Sequence, residues 1–250
     1  MPVIITLLTD FGTRDSYVGE MRGVLLTRAP NAILADISHD IPPGDISAAA
    51  YVLGRTRHTF PPSTVHLAVV DPGVGSTRAA IALQSEGQYF VGPDNGVFTP
   101  ALDAAETIVR LPLPPVSSAT FHGRDVFAPA AAAIATGMPL EQLGGRVDAP
   151  PVRLASVGVM RQGNAILGQV VHVDRFGTLV TSLPPEAGDL IEIAGARVPL
   201  RRTFADVASG ELVAFVGSGG TVEIAVRDGS AVARLSAGVG DPVRTVRADG

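Results

Sequence analysis

Val3-Ile4-Ile5-Thr6-Leu7-Leu8-Thr9, followed by Asp10-Phe11-Gly12, is the stretch that decides the fold. It is apolar but for two threonines and rich in β-branched side chains, the pattern of a strand buried on both faces inside a parallel sheet. A glycine-containing loop ends it. Asp15 or Ser16 then stands where a helix N-cap belongs, Val18, Met21 and Leu25 recur at helical spacing, and Pro30-Asn31 closes the run. Strand, loop and helix in that order open a βα unit.

The same alternation continues outward. Ala32 to Ile37 reads as a second strand, Ile46 to Thr59 as a helix stopped by Pro61-Pro62, and Thr64 to Val70 as a third strand ending at Asp71. Further strands are expected at Ala79 to Leu83, Tyr89 to Val91 and Thr107 to Leu111, with an alanine-rich helix from Asp125 to Ala135 ended by Gly137. Residues 139–162 carry Pro139, Gly144-Gly145 and Pro150-Pro151, which suit a connection between domains. Beyond it, Ala165 to Val173, Leu190 to Ile193, Leu212 to Val216 and Val222 to Ala225 are short β-rich runs separated by turn signals. The fold class is therefore α/β. Residues 1–150 are expected to form an N-terminal domain with a mainly parallel sheet flanked by helices, and residues 151–250 a linker and a smaller C-terminal antiparallel β-barrel.

Composition narrows the chemistry. The chain of 250 residues is 46% hydrophobic and 17% charged, enough for buried cores, and its apolar runs break before the ~20 residues of a membrane span. It has no Cys, and all 19 basic residues are Arg. Thiolate nucleophiles, disulfides, Cys-based metal sites, lysine Schiff bases and a P-loop lysine are thereby excluded. A net charge of −5 argues against a nucleic-acid partner. The N-terminus has no basic region ahead of its short apolar run, so it reads as a strand and not a signal peptide, and a cytoplasmic enzyme without a membrane partner is expected.

In open parallel sheets ligands bind beyond the carboxyl ends of strands, where Asp10 and Asp71 fall. Asp71-Pro72-Gly73-Val74-Gly75-Ser76-Thr77-Arg78 makes a tight loop ending in an Arg that can reach back to Asp71, either as a structural ion pair or as part of a site. Phe121-His122-Gly123-Arg124-Asp125 places His122 at the start of a helix, where it can serve as acid or base. Asp94-Asn95-Gly96 reads as a turn. His39 follows a strand and could join Asp10 and Asp71 as metal ligands, which keeps a metal-dependent hydrolase in view, although no closely spaced His pair occurs.

Taken together, Thr9-Asp10-Phe11-Gly12 with Asp15, Val70-Asp71-Pro72-Gly73-Val74-Gly75 with Arg78, Gly92-Pro93-Asp94-Asn95-Gly96 and Phe121-His122-Gly123-Arg124-Asp125 resemble the SAM hydrolase family, also called SAM hydroxide adenosyltransferase. Asp174-Arg175-Phe176-Gly177 and Gly217 to Ala225 extend the resemblance over nearly the whole chain. The family shares its fold with enzymes that transfer fluoride or chloride to S-adenosylmethionine (SAM). The resemblance implies attack of water or hydroxide at C5′ of SAM, giving adenosine and L-methionine, with SAM as substrate and no cofactor or metal. It implies a homotrimer with SAM bound between the N-terminal domain of one subunit and the C-terminal domain of its neighbour. It also implies catalytic roles for Asp71, Arg78 and His122: Arg78 makes a bound water more acidic, while His122 and Asp71 orient it and one of them takes its proton.

Substrate contacts are implied for Asp10, Phe11, Asp15 and Gly123, with Asp15 on the ribose hydroxyls, and for Asp174, Phe176, Thr178, Ser218, Glu223 and Val226 on the adenine and methionine side. Thr178 and Ser182 depart from the family's usual Asn, and a Thr cannot pair bidentately with adenine. Halide transfer and a SAM-binding sensor with little catalysis are the competing readings, the first disfavoured because a carboxylate at Asp71 repels a halide.

Overall fold

The structure, a computed structural model, describes residues 2–147 and 149–246. The chain divides into two compact units, the first running to Leu154 and the second beginning at Ala155. The first contains β1 (Ile4–Thr9), α1 (Tyr17–Arg28), β2 (Ile33–Ser38), α2 (Ile46–Arg57), β3 (Val65–Val69), β4 (Ala80–Ser85), β5 (Gln88–Pro93), β6 (Ala105–Arg110), α3 (Ala128–Ala135), α4 (Leu140–Leu143) and β7 (Gly145–Arg146). Its sheet has the order β2-β1-β3-β5-β4-β6-β7.

Pairing is parallel from β2 through β1 and β3 to β5, and antiparallel from there to β7. The sheet is thus mixed, parallel on the side that opens the chain. Its change of direction has a local cause: Glu86 and Gly87 both take positive φ, 50° and 71°, making the two-residue turn that folds β5 directly back on β4.

β1 is buried on both sides, as its composition requires. Ile5 and Leu7 join Met21 and Leu25 of α1 and Phe127 and Ala131 on one face, while Leu8 packs with Leu53 of α2, Phe90 and Phe98 on the other. Asp45 caps α2, its carboxylate accepting from Ala48 N at 2.8 Å. α1 has no such side-chain cap: Ser16 occupies the N-cap position, but its hydroxyl donates to Glu20 at 2.7 Å. Within the 139–162 stretch, β7 pairs with β6, and Val152 N and Leu154 N donate to Asp94 and Thr99 at 2.8 and 2.9 Å.

The second unit contains β8 (Met160–Gln162), β9 (Ala165–Val173), β10 (Leu179–Thr181), β11 (Leu190–Ile193), β12 (Ala196–Pro199), β13 (Leu212–Val216), β14 (Val222–Val226), α5 (Ala231–Leu235) and β15 (Pro242–Val246). Its strands follow the order β12-β11-β15-β9-β10-β14-β13, with β8 added against β9, and every strand pair is antiparallel. The two end strands approach each other just past β12, where Leu200 bridges to Ala214 and Arg201 N donates to Ala214 O at 2.8 Å. That near closure covers the sheet edges and encloses a core of Ile166, Val170, Leu179, Ile191, Ile224 and Val243.

Candidate active site

Asp71 stands just beyond β3, and the chain returns through Gly73 and Gly75 to Arg78 ahead of β4. The loop closes on itself. Arg78 Nε donates to Asp71 Oδ1 at 2.9 Å and Nη2 donates to Asp71 Oδ2, a bidentate pair whose side chains are only 10% and 5% exposed. Arg78 Nη2 also meets His122 Nδ1 at 2.9 Å, and Nη1 donates to Ala79 O at 3.2 Å. The guanidinium of Arg78 lies over the Phe127 ring, 5.2 Å from its centroid. One buried cation therefore bridges a carboxylate and an imidazole.

That bridge fixes the histidine tautomer. A guanidinium only donates, so Nδ1 of His122 must accept and the ring proton of the neutral form sits on Nε2. Burial, then the positive charge of Arg78, lower the His122 pKa against the opposing pull of Asp71 and Asp125, so the ring is neutral at neutral pH. His122 leads into a π-helical turn, Gly123–Phe127, ahead of α3. Such turns are frequent at functional sites. Gly75 brings the two loops to contact: its φ is +77°, and a Cβ there would stand 2.6 Å from the carbonyl oxygen of Ala119.

The other predicted residues of the first unit frame this cluster. Asp10 Oδ2 accepts from Gly44 N at 2.8 Å, and Gly44 faces Pro72, the residue after Asp71, which a Cβ there would meet at 3.7 Å. Phe11 joins Tyr17 and Phe121 in an aromatic group with centroids 5.3 to 5.9 Å apart, next to His122 in the chain. A Cβ at Gly123 would stand 3.1 Å from Met21 Sδ and 3.2 Å from the Phe121 ring, a tight fit. Asp15 is exposed at the entrance to α1.

The second unit brings Asp174, Phe176, Thr178, Ser218, Glu223 and Val226 together along one groove of about 820 Å³, shared with Phe204, Phe215 and Arg227. Asp174 Oδ1 accepts from Phe176 N and Thr178 N at 2.9 and 2.8 Å, which sets the turn that carries both. Phe176 is 76% exposed, while Thr178 is buried. Ser182 lies apart from the groove lining, its hydroxyl accepting from Gln169 N at 3.0 Å.

Some residues beside the site were not singled out as site residues by the sequence reading. Asn95 Nδ2 donates to Val70 O at 2.8 Å and so holds the strand end that presents Asp71. Burial raises the Asp94 pKa, opposed by the Val152 N–H and by Arg78. The Asp94-Asn95-Gly96 turn is thus part of the site's scaffold, a role its turn chemistry gave no sign of. Phe204, 4.5 Å from Phe215 by ring centroids, also went unread; its signal was an apolar residue in a polar loop. Asp10, His39 and Asp71 are not brought together as a set of metal donors. His39 Nδ1 is hydrogen-bonded to Thr9 and Nε2 faces Asp36, and among the described residues no group of three His, Cys, Asp or Glu can hold a metal ion.

Family models and relatives agree with one another. The model for the SAM hydroxide adenosyltransferase N-terminal domain matches residues 5–144, and that for its C-terminal domain residues 168–244. A protein from Thermus thermophilus named (R)-S-adenosyl-L-methionine hydrolase is 43% identical, with 96% of this chain and 98% of the relative covered. A fluorinase from Nocardia brasiliensis is more distant, 27% identical over 96% of each. The crystal structure of an uncharacterized conserved protein from Thermotoga maritima superposes with a TM-score of 0.89 at 35% identity, covering 96% of this chain and 98% of that one.

Proposed function

The chain belongs to the SAM hydroxide adenosyltransferase family, and from that premise we propose that it hydrolyses S-adenosyl-L-methionine at C5′, giving adenosine and L-methionine. The observation that carries the reading is the buried Asp71–Arg78–His122 bridge. In the reaction an oxygen–C5′ bond forms as the C5′–sulfur bond breaks. The leaving thioether takes the bonding pair and becomes neutral, so no acid is needed there. The difficulty lies with water, a poor nucleophile whose oxygen must gain negative charge.

The three side chains divide that task. Arg78 supplies a fixed positive charge, and the Nε2–H of neutral His122 supplies a donor to the attacking oxygen. Asp71 is the member able to accept, and it takes the proton. Because Asp71 balances the charge of Arg78, the pair offers the sulfonium no net positive charge to approach. A halide gains nothing from a pocket that already holds a carboxylate.

Asp10, Phe11, Asp15 and Gly123 contact the ribose side in this reading, and the groove of the second unit takes adenine and methionine. Asp10 Oδ2 accepts from Gly44 N, which leaves Oδ1 to accept from a ribose hydroxyl in this reading. The protein acts in the cytoplasm as a homotrimer with its sites at subunit interfaces, and it uses no cofactor. No helix among the described residues is long and apolar enough to cross a membrane.

The test is incubation of purified protein with SAM in chelator-treated, halide-free buffer, followed by chromatography, with light scattering for the assembly. Equimolar adenosine and methionine are expected. Their absence, or 5′-chloro-5′-deoxyadenosine as the main product once chloride is added, overturns the assignment.

A further inference from the structure

We propose that His39 is a positioning residue for the substrate loop, holding Asp10-Phe11-Gly12 in place through a directional chain of hydrogen bonds anchored on the Arg22–Asp36 ion pair. The proposal deepens the hydrolase reading and rests on its placement of residues 10–12 at the ribose.

The loop needs such a hold because strand pairing gives out beside it on one edge. β1 runs in register with β2 from Ile4–Ile33 to Leu7–Asp36, then slips, so that Leu8 stands opposite Ser38. Beyond this irregularity, side chains bind the loop to the end of β2. His39, 6% exposed, accepts from Gly12 N at 2.7 Å through its carbonyl, while its Nδ1 lies 2.8 Å from Thr9 Oγ1. Thr9 Oγ1 accepts in turn from Phe11 N at 3.3 Å.

The direction of the chain follows from its far end. His39 Nε2 stands 3.1 Å from Asp36 Oδ1, close enough for an electrostatic hold but short of a well-aligned hydrogen bond. A bare nitrogen lone pair at that distance from a carboxylate would be repelled, so the proton resides on Nε2. Burial works to raise the Asp36 pKa, but the hydrogen bond from Arg22 and the attraction of His39 prevail and keep it lowered, so its carboxyl is the anion this contact needs. In the neutral tautomer that carries its proton on Nε2, Nδ1 accepts. Thr9 therefore donates to it and keeps its lone pairs for the Phe11 N–H. Each link leaves the next one a single sense.

His39 thus serves the loop and not a metal. The hydrogen bonds reach Phe11 and Gly12, next to Asp10 on the substrate side, and none of them involves Asp71, Arg78 or His122. Its loss should weaken binding and leave the chemical step largely intact.

Thr9→Val keeps the β-branched shape and removes the hydroxyl that links the ring to Phe11. Measured with SAM, KM and the calorimetric Kd are expected to rise about tenfold with kcat within about threefold, and Thr9→Ser is expected to restore both. Asp36→Ala, at the partly exposed anchor, should raise KM severalfold even if the Thr9 variant fails to fold. Unchanged KM in a folded Thr9→Val or Asp36→Ala protein overturns the proposal, as does a serine variant no better than the valine one. A wild type that binds SAM but releases no adenosine instead overturns the hydrolase reading, and Kd alone then judges the relay.

Discussion

The loop cluster of the first unit and the groove of the second are built on opposite plans. Around Arg78, polar groups are joined to one another before any ligand arrives: carboxylate to guanidinium, guanidinium to imidazole, and guanidinium to the backbone carbonyl of Ala79. The groove is wide and carries three phenylalanines, and one of its carboxylates, Asp174, is engaged with backbone N–H groups of its own turn. The first arrangement fixes an electric field; the second offers surface. The contrast separates the two demands of the reaction, because stabilising charge on an attacking oxygen requires groups that do not reorganise, whereas holding a nucleoside requires area and shape.

The largest effect that would sharpen this division is on turnover. Arg78→Ala removes the cation that ties the cluster together, and kcat for adenosine release is expected to fall by about 10²–10³ with SAM affinity kept within a few fold. A loss of affinity as large as the loss of turnover would break the comparison, since the loop cluster would then be a binding element.

Acid stability comes next. His66 of β3 is fully buried, stacked on Phe90 at 4.9 Å, and its Nδ1 lies 2.8 Å from Thr6 Oγ1. Burial, helped by the charge of Arg57, lowers its pKa to about 4 against a weaker opposing effect of Gln88. The unfolded chain therefore binds the extra proton first, and stability conferred by the neutral ring is lost as pH falls from about 6.5 towards about 4, by roughly 3 kcal/mol in all. Denaturant unfolding of the first unit between pH 7 and pH 4 should show this slope, and the double variant His66→Leu, Thr6→Val should flatten it. An equal slope in the double variant assigns the acid sensitivity to other groups.

The smallest expected effect belongs to the groove. Phe204→Ala removes one ring of the Phe204–Phe215 pair and should raise KM for SAM by about tenfold with kcat unchanged. A fall in kcat at constant KM would mean that the groove, too, acts on the transition state.

Much of this plan could be read from the chain, and the limits of that reading have physical causes. β1, α1 and β3 were legible because strands buried on two faces and a helix buried on one leave periodic patterns of apolar residues. Asp71, Arg78 and His122 were legible as candidates because short loops at strand and helix ends put them there, although their mutual contact was not: His122 lies 44 residues from Arg78. The same limit hid Asn95, whose bond to Val70 spans 25 residues, and made His39 look like a metal ligand when its ring is engaged by Thr9 and Asp36. Local sequence reports what a segment can become. Which distant segment it will then meet is settled by the sheet order, and the turn at Glu86-Gly87 that reverses the sheet has no side-chain signature beyond its glycine.

The close approach at Gly75 has a consequence for the order of events in folding. A chain in which β3 and its loop are formed but the segment around Ala119 is not yet docked has Asp71 and Arg78 in place and no His122 beside them. The missing partner arrives only when a long loop closes, a step with its own entropic cost. Activity in a refolding chain therefore cannot precede the meeting of these two distant loops, and with sites shared between subunits, as proposed, it waits for assembly as well.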